Sequence, residues 1–228
     1  MKMNIGLRRI LIALAGLALV APLGAKAQLE SGRFYVKADV GGELTRDTSL
    51  KEFFGEPLAP GSKVKFDPGA RFGIAAGYHL THWFGAEVES GVMANDIDTI
   101  TDASRVDATF SNVPLLFNVR FQCPHADKLI PYVGGGVGAS FPVIDADRIT
   151  IGGTSMHGSD SDAVFAYQAF AGLRYKLNER MGLSLEYHYF HADGAEWKAE
   201  FTSGTSSDRL RFGATETHAV SIAFDFHF

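Results

Sequence analysis

Residues 218–228 read HAVSIAFDFHF, a pattern that recurs along the chain. Every second residue from Val220 to Phe228 is apolar, and Ala, Ser, Asp and His fill the positions between them. Successive side chains of a β-strand point to opposite faces, so this pattern predicts a strand with one apolar face and one small or polar face. The strand runs to the final Phe, where the end of a soluble sheet would fray. A strand that closes a barrel in lipid is the better interpretation.

Seven further segments predict strands in the same way. Six of them alternate clearly, whereas residues 130–140 (IPYVGGGVGAS) are so rich in glycine that their facing stays open. Together the eight predicted strands span residues 33–41, 71–80, 84–91, 113–121, 130–140, 165–175, 183–189 and 218–228. No convincing 3.6-residue period follows the N-terminal segment, so an all-β domain is expected.

The connections between these strands alternate in length. Three of them are short and cover residues 81–83, 122–128 and 176–181. Four are long, rich in Ser, Thr, Asp and Gly, and are expected to be solvated loops: residues 43–67, 94–111, 141–162 and 192–216. Their conformation, including extra strands above the membrane, stays open. Short turns at one end and long loops at the other are typical of bacterial outer-membrane barrels.

The N-terminus has the features of a secretory signal peptide. A basic start precedes an apolar run over residues 10–23, and Ala25 and Ala27 form an A-x-A cleavage site. The run is about 14 residues long, whereas a membrane-spanning helix needs roughly 20. We therefore predict a cleaved segment, residues 1–27, followed by one outer-membrane β-barrel domain, residues 28–228.

Charge and cysteine content exclude several classes of protein. The formal net charge is −5 at pH 7. All charged residues in the segment removed by cleavage are basic, so the mature chain carries a larger negative charge. An exported acidic protein is not expected to bind nucleic acid. Cys123 is the single cysteine, so it cannot form an intramolecular disulfide.

Alternation alone also fits a soluble barrel that encloses a ligand with its apolar face. The polar face favours the membrane barrel, because it combines glycine with charges of both signs, which suits a narrow lumen of small residues and paired charges. The predicted lumen charges are Lys37, Asp39, Arg71, Glu87, Glu89, Arg120, Arg174, Glu186 and Asp225. Aromatic residues near the short turns match an interfacial girdle: Tyr78, Trp83, Phe84, Phe121, Tyr132, Tyr175 and Phe228. Because buried charges must be paired, we expect a closed plug rather than an open pore.

No catalytic, cofactor or metal site is expected. Ser184, Glu186 and His188 share the inward face, but same-face neighbours lie about 6.5–7 Å apart, whereas a nucleophile and its base need about 2.6–3.2 Å. His188 and His191 face opposite ways and make a poor metal pair. Asp225 and His227 share one face near the short-turn end, which predicts a structural hydrogen-bonded pair.

The order and spacing of these segments resemble the small outer-membrane barrels of the OmpA, OmpX and opacity-protein type. The resemblance covers essentially the whole mature chain and rests on FGIAAGYHLTHWFGAEVESGV, VPLLFNVRF, PYVGGGVG, LSLEYHYF and AVSIAFDFHF. It implies an eight-stranded antiparallel up-and-down transmembrane β-barrel in the outer membrane with both termini in the periplasm. It also implies insertion by the outer-membrane assembly machinery, with Phe224, Phe226 and Phe228 as the assembly signal. Since no peptidoglycan-binding domain follows Phe228, tethering to the cell wall is not expected.

Three functions remain open at this point. The first is a non-enzymatic structural or surface protein whose long extracellular loops contact or adhere to a host or extracellular ligand, because loops on a rigid scaffold commonly carry binding. The second is a narrow channel or porin for small solutes. The third is a lipid-modifying barrel enzyme, which would need a Ser or His cluster near the outer-leaflet rim.

Overall fold

In the computed structural model of the protein, the described residues are 33–53, 56–57, 61–101, 103–123, 127–151, 154–201 and 207–228. The predicted signal cleavage site at Ala25 and Ala27 lies outside them. Within these ranges no helix is long and apolar enough to cross a membrane. The strands are β1 (Phe34–Thr45), β2 (Thr48–Phe53), β3 (Glu56–Pro57), β4 (Lys63–Phe66), β5 (Gly69–His79), β6 (Phe84–Ile100), β7 (Ala103–Gln122), β8 (Leu129–Ile151), β9 (Thr154–Ser161), β10 (Val164–Lys176), β11 (Met181–Ala192), β12 (Glu196–Phe201), β13 (Ser207–Phe212) and β14 (Thr215–His227).

Eight of these strands close on themselves to form what we call the lower barrel. Its circular order is β1, β5, β6, β7, β8, β10, β11 and β14, and every neighbouring pair is antiparallel. The last strand returns to the first, with Phe226 opposite Val36 and Phe224 opposite Ala38. The predicted eight-stranded antiparallel barrel is therefore confirmed. A closed cycle leaves no unpaired edge, as a sheet surrounded by lipid requires.

The apolar face of the lower barrel points outward. Val40 and Ile222 are 63% and 57% exposed, whereas the neighbouring Asp39 and Ser221 are buried. Over most of the lower barrel, the polar face therefore lies inside and the apolar face is available to lipid. The strands therefore do not form the soluble type of barrel, in which apolar side chains surround an internal ligand.

The glycine-rich strand β8 obeys the same alternation. Ile130 and Tyr132 point inward, and Val133 and Val137 point outward. Tyr132 was predicted to belong to the aromatic girdle, and this is wrong, because its ring lies in the lumen. The reason is Gly172 on β10, where an added Cβ would lie 2.3 Å from Tyr132 Cζ. A glycine opposite the ring is what leaves a narrow barrel room for it.

The long connections are mostly strands, not the structureless loops that their composition suggests. β6, β7 and β8 continue far past the lower barrel, and β4, β2, β13, β12 and β9 fill the gap between β6 and β8. These eight strands form a second closed cycle of pairings, which we call the upper ring. It lies at the long-connection end, opposite the short connections from β5 to β6, from β7 to β8 and from β10 to β11.

The interior changes character along the axis of the barrel. Polar and charged side chains fill the half near the short turns. Further along, a buried apolar cluster comprises Met93, Leu116, Val164, Ala166, Phe190 and Ala192. Inside the upper ring a second cluster comprises Leu50, Val64, Ile97, Ile100, Phe110, Ile144 and Phe212. We call this second group the apolar cap, because it lies between the polar interior and the end of the upper ring.

Candidate functional site: the lumen charge network

The nine charged residues predicted to face the lumen all lie inside the lower barrel. Their exposed fractions range from 0% for Glu186 to 7% for Arg174. They come from seven different strands, and each occupies an inward position of its strand. Because so many strands converge on one narrow space, side chains that are distant in sequence become direct neighbours.

The centre of the network is Lys37, whose ammonium lies between two carboxylates. Lys37 Nζ is 3.2 Å from Glu186 Oε1 and 3.6 Å from Glu87 Oε1. Each carboxylate also accepts a hydrogen bond from a tyrosine hydroxyl, Glu87 from Tyr35 at 2.7 Å and Glu186 from Tyr132. The charges are thus both paired and hydrogen-bonded, as buried ions must be.

A second group surrounds Arg71, toward the upper ring. Arg71 Nε donates to Asp39 Oδ2 at 3.0 Å, and its Nη2 contacts Glu89. Gln168 Nε2 also donates to Glu89, at 2.7 Å. Asn118 Nδ2 lies 2.8 Å from Glu89 Oε2 and 3.3 Å from Glu87 Oε1, and so it connects this group to the central one.

A third group lies at the short-turn end. Arg174 Nε lies 2.9 Å from both oxygens of Asp225, and Arg174 Nη2 is 2.5 Å from Asp225 Oδ2. His227 Nε2 lies 2.9 Å from the same carboxylate, so the expected pair of Asp225 and His227 forms. The His227 ring also stacks on Tyr35 and on His79. A forked guanidinium–carboxylate contact of this kind fixes orientation as well as charge.

Arg120 lies over a ring. Its Cζ lies 3.7 Å from the centroid of the Tyr132 ring, and its Nε has no hydrogen-bond partner among the described atoms. A guanidinium stacks well on an aromatic face because it is planar and weakly hydrated. The tyrosine that binds Glu186 therefore also holds Arg120.

Sequence reasoning missed one member of the lumen, Glu43. It is 2% exposed, and neither of its carboxylate oxygens has a hydrogen-bond partner in the described part of the chain. The missed signal was the continuation of the β1 alternation past Gly41, since Lys37, Asp39, Gly41 and Glu43 share one face. With Glu43, the buried side chains of the lower barrel include six Asp and Glu against four Lys and Arg, besides His188 and His227.

The expectation that His188 stays beyond reach of its strand neighbour is wrong. His188 Nε2 lies 2.9 Å from Glu186 Oε2, because long side chains can lean along the strand and span the distance between their Cα atoms. Ser221 Oγ lies 3.4 Å from the same nitrogen, while His188 Nδ1 has no partner among the described atoms. A Ser–His–acid triad needs the serine and the acid on different ring nitrogens. Here Ser221 and Glu186 both lie beside the same ring nitrogen, Nε2, and His188 is fully buried.

His191 lies apart from His188, on the opposite face of β11. His191 faces outward, stacks on Tyr167 at 4.8 Å and lies 3.5 Å from Asp193. Among the residues that the structure describes, no three His, Cys, Asp or Glu side chains come together as metal ligands.

This architecture matches a known family. The family model of the outer membrane protein beta-barrel domain matches residues 11–228. The chain therefore belongs to the outer membrane protein β-barrel family and is a protein of the cell outer membrane, surrounded by membrane lipid.

Solved structures share the fold at low sequence identity. OprG of Pseudomonas aeruginosa is 13% identical, with a TM-score of 0.59 over 88% of this chain and 98% of that one. Neisserial surface protein A is 14% identical, with a TM-score of 0.51 over 86% and 97%. AlkL, solved in lipid bilayers, is 18% identical, with a TM-score of 0.50 over 90% and 94%. A comparison with curated protein sequences finds no match.

Proposed function

We propose that the protein is a non-enzymatic, closed outer-membrane barrel that acts at the cell surface through its upper ring. The observation that carries the proposal is the apolar cap, which lies above the charge network of the lumen. Residues such as Leu50, Ile97 and Phe110 are 4–5% exposed there. Small outer-membrane barrels place their short turns in the periplasm and their long connections outside. The upper ring would therefore be the extracellular part.

The upper ring suits contact with a partner better than passage of a solute. Its described residues are mostly in paired strands, so binding to them would cost little ordering entropy. Its interior holds a buried apolar cluster, which does not suit the passage of a polar solute. Adhesion to a host or extracellular ligand is the proposed role, and the outward faces of these strands are the proposed contact surface.

Because the lumen is filled, we expect that folded monomers do not conduct ions across a bilayer. Because ion pairs fill the lumen and the apolar cap covers them, we expect no stable nanosiemens-scale openings in planar bilayers at neutral pH. An open porin measured in the same bilayer provides the positive control. Stable openings from protein that migrates as folded on an unheated gel would contradict closure and favour the channel alternative.

The non-enzymatic assignment rests on the sealed state of the Ser221, His188 and Glu186 group. Each of these residues is at most 1% exposed, so a lipid or peptide substrate has no access to them. Deleting the gene should leave the acylation pattern of the outer-leaflet lipid unchanged in mass spectra. Loss of one lipid modification in the deletion strain, restored by the wild-type gene, would contradict this assignment.

We further propose that Phe224, Phe226 and Phe228 are read by the outer-membrane assembly machinery. Replacing Phe228 with serine should lower the folded, heat-modifiable protein in outer-membrane fractions severalfold, while spontaneous folding of purified chain into detergent stays nearly unchanged. Leu129→Ser is the matched control, since Leu129 is 50% exposed at the same end and Phe228 is 53% exposed. Equal membrane levels for the two variants would contradict the assignment.

A further inference from the structure

A cavity of about 610 Å³ opens at the short-turn end of the lower barrel. Its lining includes the cations Arg33, Arg174 and Lys176, the acid Glu179, and the imidazole rings of His79 and His227. The two rings are stacked, with 5.4 Å between their centroids and 5° between their planes. This mouth of the barrel is therefore polar, has a packed aromatic side and carries more cations than acids.

Arg120 is a buried cation next to this cavity. Of the buried Lys and Arg side chains that the structure describes, it is the one that forms no ion pair with another described residue, and its Nε has no hydrogen-bond partner there. Its Cζ lies 3.7 Å from the ring centroid of Tyr132 and 5.8 Å from that of Tyr35. The hydroxyls of these tyrosines bind the carboxylates of Glu186 and Glu87. Because a buried donor without an acceptor is costly, Arg120 favours a ligand that brings acceptor oxygens.

The strand register places Arg120 beside the wall of the cavity. His79 lies opposite Gly85, and Gly85 lies opposite Arg120, so the three residues form one layer across β5, β6 and β7. Gly85 has no side chain, and the ring of Tyr35 lies 4.9 Å from that of His79. His79 Nδ1 also has no hydrogen-bond partner among the described atoms. Two nitrogens that lack protein partners therefore lie in the layer where the cavity meets the lumen network.

We propose that this cavity binds a phosphate group, either as the free ion or as part of a small phosphorylated solute. Arg120 donates to the phosphate oxygens from the lumen side, since its planar fork of N–H groups matches their geometry. His79 contacts the same group from the neighbouring strand, and Lys176 adds a charge at the rim. The site lies at the opposite end of the barrel from the upper ring, so it does not depend on the proposed contact role of that ring.

The charges at the mouth favour a dianion over a carboxylate. Arg174 is held by Asp225. The charges that remain are the three cations Arg33, Lys176 and Arg120 and the acid Glu179. They leave a balance of two positive charges, which fits a phosphate group of about −1.5 to −2 near neutral pH better than the single charge of a carboxylate. Further inside, the lumen holds more Asp and Glu than Lys and Arg, so an anion would go no deeper than this layer.

The test measures binding of inorganic phosphate to the purified folded protein in uncharged detergent micelles, by calorimetry at fixed ionic strength. The wild-type protein should bind one phosphate per chain. Arg120→Met should weaken binding at least about tenfold, the effect of losing a charge-assisted hydrogen bond in a site with little water. Lys176→Gln should weaken it about two- to fivefold, because an exposed charge is partly screened. Lys65→Gln, an exposed cation of the upper ring, is the matched control and should leave binding unchanged.

Comparison of ligands separates the two sources of the phosphate group. Tighter binding of glycerol phosphate than of inorganic phosphate would assign the site to a phosphorylated solute, and the reverse order would assign it to the free ion. Acetate should bind at least about tenfold more weakly than either, because it carries one charge and fewer acceptor oxygens. No saturable phosphate binding up to about 10 mM, or equal affinity for acetate, would overturn the proposal.

Gel migration confirms that every variant tested is folded. If Arg120→Met does not fold, Arg120→Lys takes its place, since lysine keeps the charge but lacks the planar fork, and it should weaken binding severalfold. An unchanged affinity in the folded Arg120 variant or in Lys176→Gln would also overturn the proposal. So would an equal loss in Lys65→Gln, since that residue lies at the other end of the barrel.

Discussion

Replacing Lys37 with methionine should destabilise the folded barrel by about 3–5 kcal/mol, the cost of leaving buried charge without a partner. Lys37 is 3% exposed, and its ammonium is the cation between Glu87 and Glu186. Methionine fills a similar volume, so the loss of charge dominates over any cavity. Urea unfolding of the protein in lipid vesicles, followed by gel migration, would measure the change.

The control variants separate charge from shape. Val36→Met alters the outward neighbour on the same strand and should change the free energy of unfolding by less than about 0.5 kcal/mol. Adding Glu87→Gln and Glu186→Gln to Lys37→Met removes the unpaired anions and should recover much of the loss, since neutral amides are far cheaper to bury than carboxylates. A tolerated Lys37→Met, or a triple variant no more stable than the single one, would show that the network does not hold the lumen together.

The alternation of the strands predicted much of this network. Because side chains point alternately to the two faces, the sequence shows that Lys37, Glu87 and Glu186 share the inner surface. It does not show which of them touch, since contact across the lumen depends on strand register and barrel shear. Prediction also failed where one long side chain leans toward another, as His188 does toward Glu186.

The upper ring escaped prediction for a different reason. Beyond the membrane, the outward face of a strand meets water, so Ser, Thr and Asp replace the Phe and Val of the lipid-facing segments. Such composition is shared by a solvated loop and by a water-facing strand. The remaining signal was the apolar residues Ile97, Phe110 and Ile144. Each lies on the inward face of its strand and joins the apolar cap. Glu43 was missed because the predicted first strand ended at Gly41.

The second large effect is expected on the outer face of β1. Val40→Arg should destabilise the barrel by about 2–4 kcal/mol, the cost of an arginine near the bilayer midplane. Val40 is 63% exposed, lies in the middle of β1 and pairs with Ile222 across the seam that closes the barrel. In a water-facing strand the same exposed position would tolerate arginine with little change. The sign and size of the effect therefore report which solvent the outer face meets.

Leu44→Arg is the matched control for that measurement. Leu44 lies on the same face of the same strand and is 60% exposed, but it is one residue from the end of β1. There an arginine reaches the headgroup level and should cost only about 0–1 kcal/mol. Unfolding both variants in lipid vesicles gives two changes in the free energy of unfolding, for substitutions that differ only in their depth in the membrane. A large gap between them places Val40 deep in hydrocarbon, whereas equal small costs would mean that water, not lipid, surrounds the middle of the barrel.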